Sequence, residues 1–101
     1  MQNTSTKQFI ILKFKGPIRL ITGDSLKLEI NGELSLLELK ELLINLYGKR
    51  AKDMNLYPIL EDLLAQNLII INGIEVSALD DEKTVIKGGD EVTIINFTHG
   101  G

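Results

Sequence analysis

The stretch "LKLEINGELSLLELKELLINLYGKR", residues 26–50, changes its hydrophobic period partway along. Leu26, Leu28 and Ile30 first alternate with Lys27 and Glu29, which puts the apolar side chains on one face of an extended chain. After the turn residues Asn31, Gly32 and Glu33 the spacing becomes three and four. Leu36, Leu39, Leu42, Leu43 and Leu46 form one stripe, with Lys40, Glu41 and Asn45 opposite. A half-buried strand therefore hands over directly to an amphipathic helix. The handover is marked twice: Ser35 and Glu38 have the spacing of a capping box, and Leu34 can staple onto Leu39 one turn inside. Gly48 is expected to end the helix as a left-handed cap. A strand and a helix that each carry one apolar face imply a helix packed on a sheet.

Upstream, "QFIILKFK" (8–15) alternates Ile10, Leu12 and Phe14 with Lys13 and Lys15, a second strand pattern that Gly16-Pro17 breaks. Downstream, "YPILEDLLAQN" (57–67) reads as a short helix with Pro58 in its first turn, where a missing N–H costs little. "LIIINGIEV" (68–76) reads as two short strands about Asn72-Gly73, a pair suited to a tight hairpin turn. "SALDDEKTVIKGGDE" (77–91) is expected to be mostly connection, anchored by Val85 and Ile86, with Gly88-Gly89-Asp90 turning into a last strand, "EVTIINF" (91–97). The expected organisation is a leader over residues 1–6, one folded domain over 7–97 and a tail over 98–101.

Composition bounds the function. A chain of 101 residues, 44% hydrophobic and 25% charged, has room for one core and no second domain. The formal net charge of −3 argues against a direct nucleic-acid partner, which would call for clustered Lys and Arg. Cysteine is absent, so the chain offers no disulfide, no metal-binding thiolate and no thioester of its own. The start "MQNTSTKQ" lacks an apolar signal core, and no run approaches the roughly 18 apolar residues of a membrane span. A cytoplasmic monomer that does not bind membranes is the expectation.

In order, the elements are strand, strand, helix, short helix, strand pair and final strand. If the first two strands form a hairpin and the helix crosses their sheet, the last strand lies parallel beside the first. That is the ubiquitin-like β-grasp, an α+β fold in which a mixed four- to five-stranded sheet packs on one main helix, with a short second helix. The final strand then runs out into Thr98, His99, Gly100 and Gly101. At an average glycine usage of about 7%, two given terminal positions are both glycine in roughly 0.5% of chains. Chance is a poor explanation for the pair. Glycine lacks Cβ, so Gly100 and Gly101 can thread a narrow channel and bring a carboxylate to chemistry inside another protein.

The segment "GGDEVTIINFTHGG" (88–101) resembles the end of the ubiquitin-like sulfur carriers and modifiers. Its "HGG" ending is similar to that of the ubiquitin-related modifier family of eukaryotes and its archaeal small-modifier counterparts, and the bacterial relatives MoaD and ThiS share the glycine ending. The resemblance implies that Gly101 is adenylated with ATP by a ubiquitin-activating-like adenylyltransferase and converted to a thiocarboxylate by a sulfurtransferase. That group would serve as a sulfur donor, for tRNA thiolation or molybdopterin synthesis through a sulfur-acceptor enzyme, or would form an isopeptide bond with a target-protein lysine, with a link to the proteasome. On this reading the chain is a carrier rather than an enzyme, with no bound cofactor, no metal and no catalytic residue. The competing reading is a non-covalent ubiquitin-like adaptor that works through an exposed sheet patch.

Two further features bear on docking. His99 is the sole histidine. With no fixed partner for acid-base work it is read, with Gly100, as part of what an enzyme recognises in the tail. In the last strand Val92 and Ile94 alternate with Ile95 and Phe97, and alignment of the tail with that of ubiquitin places the first pair inward. Ile95 and Phe97 then face outward, as do Phe9 and Ile11 on the first strand, and together they are expected to form a partner-docking patch unless the second helix or the leader covers them. The acidic run Asp80-Asp81-Glu82 and the scattered lysines are read as solvated surface.

Overall fold

The computed structural model describes residues 7–76 and 84–97. Strand β1 (Gln8–Lys15) and strand β2 (Ser25–Ile30) pair antiparallel, with Ile10 opposite Leu28 and Leu12 opposite Leu26, so the two apolar faces coincide. Between them lies a helical turn, α1 (Arg19–Thr22), which the Gly16-Pro17 break did not announce. It is a short device that brings Ile18 and Ile21 into the core. Its four residues are too few to show helical periodicity in sequence.

Helix α2 (Leu36–Asp53) starts where the capping box requires. Ser35 Oγ accepts from the Glu38 N–H at 3.1 Å and Glu38 Oε1 accepts from the Ser35 N–H at 2.9 Å, satisfying two backbone donors at the helix start. The expected end at Gly48 is wrong. The helix continues to Asp53, and Gly48 is buried inside it because α3 (Tyr57–Glu61) crosses there. A Cβ on Gly48 would stand 3.3 Å from Ile44 Cγ2 and 3.6 Å from the Tyr57 ring, so this glycine serves close packing rather than a positive φ. The left-handed residue is Asn55, with φ 59°, just past the helix end. The apolar stripe also drifts from its expected course: Leu36, Leu39, Leu43 and Ala51 are buried, whereas Leu46 is 54% exposed.

Helix α4 (Leu63–Gln66) follows α3 and leads into strand β4 (Asn67–Ile71), so the expected single short helix is broken at Asp62. Strand β4 turns at Asn72-Gly73 into β5 (Ile74–Glu75); both turn residues have positive φ, 51° and 83°, as the mirror-image hairpin turn demands. The final strand β7 (Glu91–Asn96) lies at the centre of a five-stranded sheet of order β2-β1-β7-β4-β5, parallel to β1 and antiparallel to β4. This is the mixed ubiquitin-like β-grasp sheet, packed on α2 through Ile10, Leu12, Phe14, Ile69, Val92 and Ile94.

Two segments read as turn and connection are strands. Strands β3 (Glu33–Ser35) and β6 (Val85–Lys87) pair as a separate two-stranded sheet, Leu34 opposite Ile86. Each is too short to show alternation, and their pairing depends on chain brought from far away in sequence. Of the two expected anchors, Ile86 is buried and Val85 is 42% exposed. The turn at Gly88-Gly89-Asp90 is present and is tied to the β4–β5 hairpin. Asp90 accepts from Asn72 Nδ2 and from the Lys87 N–H, both at 2.8 Å, and Asn72 Oδ1 accepts from the Glu91 N–H at 2.9 Å.

Candidate functional site

A central parallel strand whose exit points toward the C-terminus is the organising feature. The chain follows β7 to Phe97 within the described residues; His99, Gly100 and Gly101, like the leader and the acidic run at 80–82, lie outside them. What the structure does show is how firmly the base of the tail is built. Val92 and Ile94 are wholly buried, in the parity expected from the glycine ending. The next inward position is Asn96, a polar residue only 5% exposed.

Two contacts hold Asn96, and a third holds Phe97 beside it. Its Nδ2 donates to the Gln66 carbonyl at 3.0 Å, and the same carbonyl accepts from the Phe97 N–H at 3.3 Å. From the β1 side, Gly16 (φ 87°) lies against the Asn96 carbonyl so closely that a Cβ there would stand 2.4 Å from the oxygen. Opposite Asn96 across the strand pair sits a second buried amide, Asn67, whose Nδ2 donates to the carbonyls of Leu63 at 2.8 Å and Ile59 at 3.1 Å. Among the described residues neither the Asn67 nor the Asn96 Oδ1 has a hydrogen-bond partner. The sequence carried one signal for this arrangement, the inward parity of position 96, and none for the Gly16 or Gln66 contacts.

The outer sheet face carries the residues expected to dock a partner, but register divides them. Parallel pairing sets Ile11 opposite Glu91 and Ile95 opposite Lys15, with Lys13 and Thr93 between. Phe9 and Ile11 therefore sit at one end of the face and Ile95 and Phe97 at the other, where a single patch was expected. Lys27 Nζ lies 4.4 Å from the Phe9 ring centroid, and Lys13 forms an ion pair with Glu91, so the first end is overlaid by charge. At the second end Phe97 is 44% exposed, and β4 adds Leu68 directly opposite Ile95 and Ile70 opposite Thr93. Leu68 and Ile70 were not singled out from the sequence because "LIII" has no alternation to reveal which residues face outward. A groove lined by Leu64, Leu68, Val76 and Phe97 opens beside them.

Among the described residues no group of three His, Asp or Glu side chains could hold a metal, and no helix is long and apolar enough to cross a membrane. The ThiS family pattern matches residues 12–101. No curated protein matches the chain in sequence. Among solved structures the chain is similar to Urm1 from Trypanosoma brucei, with 25% identity, 97% of this chain and 100% of that one covered, and a TM-score of 0.66. The small archaeal modifier protein SAMP1 from Methanosarcina acetivorans shares 19% identity over 96% of this chain and 100% of its own, with a TM-score of 0.64. A chain from the structure of the complex of subunits 1 and 2 of the molybdopterin-converting factor from Helicobacter pylori matches at 22% identity over 92% of this chain and 99% of its own length, with a TM-score of 0.53. These last two likenesses speak to the fold. The family match runs from Leu12, within β1, to Gly101, and takes in β7 and the residues about Asn96: the chain belongs to the ThiS family, among the ubiquitin-like sulfur carriers and modifiers.

Proposed function

We propose that the protein carries its reactive group at its own end, the Gly101 carboxylate, and that enzymes act on it. A carboxylate is ionised at neutral pH and is a poor electrophile, so it must be activated. Adenylation does this: a carboxylate oxygen attacks the α-phosphorus of ATP, pyrophosphate leaves, and an acyl-adenylate forms on a ubiquitin-activating-like adenylyltransferase. The outer sulfur of a sulfurtransferase persulfide then displaces AMP to give an acyl disulfide, and a second thiol of the partner cleaves its S–S bond, releasing the thiocarboxylate and leaving a disulfide on the partner. The absence of cysteine from the chain fits a division of labour in which partners supply all the sulfur. The product would pass sulfur to an acceptor enzyme for tRNA thiolation or molybdopterin synthesis, or its carbonyl would be attacked by a target lysine, the C–S bond breaking and sulfur leaving as hydrogen sulfide, to give an isopeptide bond. A link to proteasomal turnover of such conjugates belongs to the second use.

The observation that carries this reading is the match of the family through residue 101, in a chain whose last strand, ending at Asn96, is anchored in the middle of the sheet. A non-covalent adaptor is supported by the half-exposed cluster of Ile95, Phe97 and Leu68, which would then be the functional surface in itself. Intact-mass analysis of protein from its native cells separates the two. The carrier reading expects a fraction in which sulfur replaces one C-terminal oxygen, or a lysine remnant joined through Gly101. Free carboxylate alone, under conditions that induce sulfur transfer and conjugation, overturns it in favour of the adaptor.

A further inference from the structure

Position 96 is the one inward position of β7 without an apolar side chain, and its buried amide oxygen, like that of Asn67 opposite, has no hydrogen-bond partner among the described residues. An apolar pair would avoid burying two unmet acceptors. What the amides add is direction. Asn67 ties the start of β4 to the carbonyls of Ile59 and Leu63, and Asn96 ties the end of β7 to the carbonyl of Gln66, which also receives the Phe97 N–H. Since Gln66 stands opposite Phe97, residues 67 and 96 form a non-hydrogen-bonded pair, the kind whose side chains lie closest. On the other flank the bare Cα of Gly16 closes on the Asn96 carbonyl, a contact no L side chain would permit at that φ. The last inward residue before the tail is thus held from β1, from β4 and through its own side chain.

We infer that Asn96 is a positioning residue: the collar of Gly16, Gln66 and Asn67 about it fixes where and in which direction the chain leaves the sheet at Phe97, and so where the Gly101 carboxylate is delivered to an activating enzyme. The inference rests on the carrier reading. On that reading the four residues 98–101 separate the exit from the reactive group, a reach of at most roughly 13–14 Å, and a change of exit angle at the base translates into displacement at the reactive end. Misplacement of reacting atoms by about 1 Å can cost about a hundredfold in rate.

The test compares wild type with Asn96→Leu, which keeps the branched shape and removes the amide, and with Asn96→Ala in case the larger side chain does not fold. ATP–pyrophosphate exchange is measured with the cognate adenylyltransferase, corrected for folded fraction. Positioning predicts that kcat at saturating carrier falls about tenfold or more while KM stays within about threefold. It also predicts that one glycine inserted after Phe97 costs much in wild type and little in Asn96→Leu, because the exit is already unfixed; a merely structural role gives additive effects. A readout independent of activity is hydrogen exchange in the free protein: the Phe97 amide should lose about tenfold protection while that of Ile94 is unchanged. Unchanged kcat with additive insertion, or unchanged Phe97 protection, overturns the inference. Absence of exchange activity in wild type overturns the carrier reading instead, and the hydrogen-exchange result still decides whether the collar holds the exit.

Discussion

At the scale of single residues, the chemistry expected at the tail and the packing beneath it are separable. Gly100 and Gly101 follow the last strand in sequence and have no side chain to bury, so deleting Gly101 or making Gly100→Val should abolish adenylation and leave the melting temperature nearly unchanged. ATP–pyrophosphate exchange and a thermal melt on the same samples check this; exchange surviving the deletion contradicts it. Phe97 is a different case because it is an exposed aromatic side chain. Burying a whole phenylalanine is worth about 1.5–3 kcal/mol. With 44% of its surface still exposed, a partner that covers it gains about 1 kcal/mol, near a fivefold change in affinity. Phe97→Ala should therefore weaken binding to the activating enzyme about fivefold and cost the fold well under the about 3–5 kcal/mol of a buried phenylalanine. Paired titration and melting test both halves, and a large stability loss with unchanged affinity would show that the ring serves the fold.

At the scale of elements, legibility tracked how local the deciding interaction was. The start of α2 could be read because Ser35 and Glu38 satisfy each other's backbone donors within one turn, and the β4–β5 hairpin because Asn72 and Gly73 tolerate positive φ. The end of α2 could not: the glycine that looked like a cap is buried where α3 crosses, and only the tertiary contact with Tyr57 shows its purpose. Strands β3 and β6 were hidden for the same reason, since three residues show no period and their partners are distant. Phe9, Ile11, Ile95 and Phe97 lie on the face opposite the buried set, as strand parity implies, but register sets them at two ends of it, because parity is a property of one strand and register belongs to two. The turn before β7 offers a test of such long-range ties. Asp90→Ala removes the acceptors for Asn72 Nδ2 and the Lys87 N–H, and is expected to cost about 1–2 kcal/mol in urea denaturation with no change in slope. Ser35→Ala should cost about 1 kcal/mol by loss of the cap alone. If the Asp90 variant is as stable as wild type, the hairpin and the turn are held by packing rather than by this network.

At the scale of the whole molecule, a carrier of this kind has to hold a stable platform and present a strippable end, and β7 joins the two. Its inner face is wholly buried at Val92 and Ile94, between β1 and β4, so the strand cannot leave the sheet without opening the core. Ile94→Ala should accordingly cost about 2–5 kcal/mol by lost burial and the cavity left behind. That is a large share of the about 5–15 kcal/mol available to a domain, and it should lower the melting temperature by roughly 10 °C or more. Adenylation of Ile94→Ala should then fall only as the variant unfolds: near wild-type kcat well below its melting temperature, and loss in step with the melt above it. The opposite signature is expected of the tail, where activity disappears while the melt stays fixed. Temperature series of exchange activity against circular dichroism on Ile94→Ala and on the Gly101 deletion draw the boundary between platform and payload. If Ile94→Ala loses kcat at a temperature where it is fully folded, the core of β7 tunes delivery directly, and the division between a passive sheet and an active end has to be redrawn one turn of the strand further in.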